Sequence, residues 1–168
     1  MHLKKTIALV FVLALAGGGW ALVRWRIRAG AVAGTPFDQV RPHRNQPPHG
    51  GTAVVLGDEQ FQLELVRDPA AGTLRAYILD GEMEDFIRIS ARAFTIQVDR
   101  NGRKDTLTFK PVADLATGET VGDTSLFEAQ ADWLRQTDRF KGVIQALPIQ
   151  DQTFKTVAFA FPEGNGKD

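Results

Sequence analysis

The sequence has no cysteine and only two serines, Ser90 and Ser125. Without cysteine there are no disulfides, no thiolate metal centres, no cysteine nucleophile and no acylated cysteine of the bacterial lipoprotein kind. Neither serine stands in a Gly-x-Ser-x-Gly setting, so the strained elbow of a serine hydrolase is missing. Tyr77 is the single tyrosine, and its place in a strand pattern makes it a sheet residue rather than a catalytic phenol. Trp133 reads as a core or sheet-end residue. The glycine runs do not form a phosphate loop: Gly17, Gly18 and Gly19 lie inside an apolar stretch, and Gly50-Gly51 carries no lysine. No segment recurs at a fixed period, which excludes solenoids and propellers. These absences leave no nucleophile, no ligand triad and no cofactor motif, so the expectation is a non-enzyme without cofactor.

Charge is balanced overall, with 20 Lys and Arg against 20 Asp and Glu, but it is unevenly placed. Residues 1–48 hold seven basic side chains and one acid, Asp38, whereas residues 49–168 hold thirteen basic side chains and nineteen acids. An acidic domain behind a basic leader argues against nucleic acid, because phosphate binding needs a basic face on the folded part.

After Lys4-Lys5 the chain is apolar over residues 6–23 and ends on Arg24, Arg26 and Arg28. As a helix this run rises about 27 Å, close to the roughly 30 Å of a bilayer's hydrocarbon core. Trp20 and Trp25 lie near its far end, where interfacial aromatics belong. Residues 1–28 are therefore expected to be a signal-anchor, a single-pass transmembrane helix in a bacterial inner membrane with the domain in the periplasm or outside. The alternative is a secreted protein, cleaved after Ala14-Leu15-Ala16. Residues 29–48 read as a linker, broken by Gly30, Gly34, Pro36, Pro42, Pro47 and Pro48. His43 and His49 fall at its end and are expected to be solvated. Residues 49–162 form the domain, and residues 163–168 are expected to be a disordered tail.

From Thr52 onward, strand-length segments alternate in period two. Phe61, Leu63 and Leu65 alternate with Gln60, Gln62 and Glu64; Phe94, Ile96 and Val98 alternate with Thr95, Gln97 and Asp99. Turn signals separate them: Gly57-Asp58, Asp68-Pro69 through Gly72, and Asn101-Gly102, a type I′ hairpin pair. Eight or nine short strands with one apolar face each predict an all-β fold, an antiparallel immunoglobulin-like sandwich, with a small barrel as the alternative. One apolar face per strand favours either over a parallel sheet, whose strands would be apolar throughout.

His49-Gly50-Gly51, the Gly57-Asp58 turn, Phe61-Gln62-Leu63-Glu64-Leu65 and the Tyr77-Ile78-Leu79-Asp80 strand end resemble a small extracytoplasmic bacterial β-domain. The resemblance covers roughly residues 48–161. It implies a β-sandwich that is secreted or anchored by one N-terminal helix. Some members of that family stand beside adaptor subunits of heavy-metal efflux systems, and most have no assigned activity. This chain departs from the pattern by lacking a lipobox cysteine and by carrying Gln62 where relatives often have histidine.

Metal ligation has only weak candidates. His49 stands near no second imidazole, and Asp80, Glu82, Glu84 and Asp85 form an acidic run without the glycine or terminal glutamate of an EF-hand loop. That run reads as a solvated inter-strand loop, and no metal is expected. Two readings of function precede an enzyme without a motif. One is a membrane-anchored module that binds a protein or envelope partner; the other is an accessory in heavy-metal handling through His49, Glu82, Glu84 and Asp85.

Overall fold

The computed structural model describes residues 46–166. The expected membrane segment, most of the linker, His2, His43 and the last two residues lie outside them. Among the described residues no helix is long and apolar enough to cross a membrane.

The fold is all-β and antiparallel. Eight strands run as β1 (Thr52–Leu56), β2 (Phe61–Asp68), β3 (Thr73–Asp80), β4 (Phe94–Arg100), β5 (Arg103–Pro111), β6 (Leu126–Gln130), β7 (Phe140–Ile149) and β8 (Gln152–Phe161). Their hydrogen-bonded order is β1-β2-β3-β6-β5-β4-β7-β8. The halves β1-β2-β3-β6 and β5-β4-β7-β8 meet at a short joint, Lys110 opposite Glu128 and Pro111 opposite Phe127. Core side chains from both halves form one cluster, in which Leu63, Leu65, Ile78, Ile96, Phe109 and Phe127 are fully buried. Phe94 stacks on Phe109 at 4.7 Å and meets Phe127 edge-on at 5.4 Å. Each such ring or aliphatic chain withdrawn from water contributes about 1.5–3 kcal/mol.

The turns follow their residues. Asn101 and Gly102 both take positive φ, 54° and 88°, as a type I′ hairpin requires. Asp68 closes the β2–β3 turn by accepting the N–H groups of Ala70 and Ala71. Residues 86–89 make only isolated bridges, Phe86 with Leu79 and Ile89 with Thr124. In β8 the simple alternation of Val157, Phe159 and Phe161 stops at Thr156, whose φ is 56°. Beyond that left-handed residue Phe154 also turns inward and is buried.

Residues 163–165 do not fray as the glycine-rich sequence predicts. Gly164 exchanges backbone hydrogen bonds with Ala160. The Asn165 amide then accepts from Val55 N–H at 2.7 Å and donates to Val55 C=O at 3.1 Å. Thr52 Oγ1 adds a bond to Pro162 C=O at 3.0 Å. One asparagine side chain thus serves β1 as a neighbouring strand would, and the two ends of the strand order are tied together.

Candidate functional site

Part of the outer face of β2-β3-β6 is covered by other parts of the chain, and two buried carboxylates hold the cover in place. The first is Glu64 in mid-β2, fully buried. Its Oε1 accepts the N–H of His49 at 2.8 Å and of Gly51 at 2.9 Å. Its Oε2 lies 2.8 Å from His49 Nδ1. A buried carboxylate only accepts, so Nδ1 carries the hydrogen, and Nε2, across the ring, remains the unspent atom.

The local sequence explains why the segment can reach Glu64. Gly50 N–H donates to Pro47 C=O at 3.0 Å, closing a tight turn. Gly50 takes φ 68°, a conformation that favours glycine. At Gly51 a Cβ would sit 2.6 Å from Leu65 C=O and 2.8 Å from Val66 Cγ2, so only glycine lets the backbone lie this close to β2.

The imidazole lies flat on the Tyr77 ring, 3.9 Å between centroids and 15° between planes. Phe86 leans toward both rings, at 5.8 Å from His49 and 6.1 Å from Tyr77, and is itself 44% exposed. Next to Tyr77 on β3, Arg75 Nε donates to Glu128 on β6 at 2.9 Å. That hydrogen bond, with a smaller contribution from Tyr77, raises the guanidinium above its ordinary range.

The second buried carboxylate is Glu119, in the loop between β5 and β6. It accepts from Ser125 Oγ at 2.8 Å and from Thr124 Oγ1 at 3.0 Å. Arg88 Nε approaches it at 3.4 Å, while Arg88 Nη2 donates to Thr117 C=O at 2.7 Å. Residues 81–93 and 112–125 are thereby fastened to each other and to the sheet. Between them and the His49 ring opens a recess of about 360 Å³, bounded by His49, Tyr77, Phe86, Arg88, Asp114 and Glu119. A larger depression of about 770 Å³ lies over β4, β5 and β7, lined by Gln97, Asp99, Lys104, Asp105 and Lys141. It contains no buried charged residue.

The sequence candidates are placed differently from their expectation. His49 is no solvated linker residue: its side chain is 37% exposed and pinned between Glu64 and Tyr77. The acidic run folds on itself, with Asp80 Oδ1 accepting the N–H groups of Glu84 and Asp85 at 2.9 and 3.2 Å. Among the described residues no three His, Asp or Glu side chains gather where a metal ion would sit, so His49 is not joined there by Glu82, Glu84 and Asp85. Ser125, read from its surroundings as no nucleophile, is buried and hydrogen-bonded to Glu119. Trp133 packs edge-on against Phe140 at 5.6 Å, under the Arg100 guanidinium at 4.3 Å. Glu64, Glu119 and Arg88 were not legible as site residues; only the spacing of His-Gly-Gly ahead of a glutamate-bearing strand pointed this way.

No family model matches the chain, and searches of curated proteins and of solved structures also yield no match.

Proposed function

We propose that this chain is a membrane-anchored extracytoplasmic module, built as an immunoglobulin-like sandwich, that binds a protein of the cell envelope without catalysing a reaction. The observation that carries this reading is where apolar surface is left exposed. Among the described residues the large exposed hydrophobic side chains are Phe86, Leu115 and Val121, the latter two 92% and 70% exposed. All three stand on the two loops beside β2-β3-β6, and the buried Glu119 ties those loops together through Arg88, Thr124 and Ser125. Apolar side chains displayed on a rigid support suit a partner surface, since little ordering entropy remains to be lost on contact. The apolar run at residues 6–23 supplies the anchor in this reading.

The test is site-specific photocrosslinking in intact cells. A benzophenone at Leu115 or Val121 is expected to give a discrete protein adduct, and one at Thr106, on the exposed face of β5, none. Equal labelling from the two faces, or none from either, refutes the reading. Anchoring is checked on the same cells: the chain stays in carbonate-washed membranes, whereas a soluble product beginning at Gly17 establishes cleavage instead.

One observation favours metal handling as a second reading. A histidine whose Nδ1–H is held by a carboxylate is oriented as metal-bound histidines usually are. Glu64 itself is saturated by three N–H donors, which leaves the imidazole as a lone ligand.

A further inference from the structure

The recess beside His49 presents one imidazole nitrogen among mixed polar and aromatic side chains. Some of its donors are engaged: His49 Nδ1–H with Glu64, Arg88 Nη2 with Thr117 C=O, and the Ser125 hydroxyl with Glu119. His49 Nε2 is an acceptor at its edge, and no described residue donates a hydrogen bond to it. The remaining wall is aromatic, with Phe86 set edge-on to Tyr77 at 64° and offering an exposed ring. A volume of about 360 Å³ is at the small end of ligand pockets, which run roughly 300–1,000 Å³, and so suits a single ring-sized group.

Resting on the reading above, we propose that this recess takes one tyrosine or tryptophan side chain of the protein partner, its O–H or N–H donating to His49 Nε2. Such a ring packs edge-to-face or offset against Phe86, the arrangement aromatic pairs prefer. The ligand brings the donor that His49 Nε2 lacks. A phenylalanine would fill the same space and leave Nε2 without a partner. An aspartate or glutamate carboxylate would bring no hydrogen for Nε2. Glu64 acts as a positioning residue here, holding the tautomer that turns an acceptor outward.

The experiment uses the full chain in detergent micelles, with histidine labelled in the ring by ¹⁵N. Only three histidines are present, so His49 is assigned by its loss in His49→Asn. That variant keeps an N–H for Glu64 and removes Nε2. The probes are N-acetyltyrosinamide, N-acetyltryptophanamide and N-acetylphenylalaninamide. The expected result is a saturable shift of the His49 Nε2 resonance with the first two, with affinity about fivefold above the phenylalanine probe, the worth of one net hydrogen bond. Saturation transfer to the tyrosine probe should fall in His49→Asn to the phenylalanine level. Equal affinity of the tyrosine and phenylalanine probes in the parent, no shift at His49, or an unchanged preference in His49→Asn each overturns the proposal. Adducts from Leu115 that persist in such a case would keep the binding module and discard only this pocket.

Discussion

Replacing Glu64 with leucine removes an acceptor that serves three N–H groups at once. The side chain is fully buried, and its partners are the backbone N–H groups of His49 and Gly51 and the His49 ring. Hydrogen bonds to a charged group are worth about 1.5–3 kcal/mol each. His49 is partly exposed, so water recovers some of what is lost, and a buried leucine in place of a carboxylate offsets about 1–2 kcal/mol more. The net cost of Glu64→Leu should be about 2–4 kcal/mol. For a domain of this size that lowers Tm by about 4 °C for each kcal/mol. Glu64→Gln separates charge from geometry. Its oxygen keeps both backbone donors, and its amide faces His49 Nδ1, driving the hydrogen to Nε2, so about 1–2 kcal/mol should be lost. Denaturant unfolding followed by circular dichroism measures both variants. A cycle with His49→Ala tests the pair itself: if the ring bond matters, Glu64→Leu costs about 1 kcal/mol less in that background. Stability of Glu64→Leu within about 0.5 kcal/mol of the parent would refute the assignment of Glu64 as the clamp of this segment.

Three further outcomes are expected. Gly102→Val, at φ 88° with open space around it, should destabilise by about 1 kcal/mol or more through backbone strain alone, and Gly102→Asn noticeably less; equal melting of the valine variant and the parent removes the strain argument. Asn165→Ala deletes both side-chain bonds to Val55 and should cost about 1–2 kcal/mol, with faster amide exchange at Val55 as the local reading. Calorimetric titration of the full chain with Zn²⁺ should give a dissociation constant weaker than roughly 10 μM, because one imidazole beside a saturated carboxylate is not a three- or four-ligand site; sub-micromolar binding lost in His49→Ala would put metal handling first.

The sheet was readable from the sequence because its signals are local. Alternation names the inward residues of β2 and β4, and Asn101-Gly102 fixes a turn by backbone sterics that no distant residue alters. What was not readable depends on which face is covered. In β2 the pattern assigns Gln62 and Glu64 to solvent, yet they are 2% and 0% exposed. Period two says only that they point opposite to Leu63. It does not say that residues 81–93 and the His49 turn lie over them, with Gln62 donating to Gly81 C=O at 2.6 Å. His49 was misplaced for the same reason. The prolines beside it spell a linker, and the partner that captures it is fifteen residues away on a strand. Thr156 hides a switch of face because threonine is no signal for positive φ.

Burying two glutamates on one face is an expensive way to close a small domain. An uncharged, well-packed substitute for a buried ionic group is often as stable or more so, and the fold has ample apolar core elsewhere. What the carboxylates provide is geometry: Glu64 fixes one ring in one tautomer, and Glu119 fixes a loop that displays Leu115 and Val121. The opposite face needs neither device. Gln97, Lys104, Thr106, Thr108 and Lys141 stand exposed there on paired strands. If the buried acids served stability alone, the placement of Glu64 under the His49 turn and of Glu119 within the β5–β6 loop, beside the described exposed apolar residues and the open imidazole nitrogen, would be coincidental. As supports for a contact face they stand where pre-organisation lowers the entropy lost on binding. Hence Glu119→Gln should weaken the Leu115 crosslink more than it lowers Tm, whereas a purely structural role predicts loss of both in proportion.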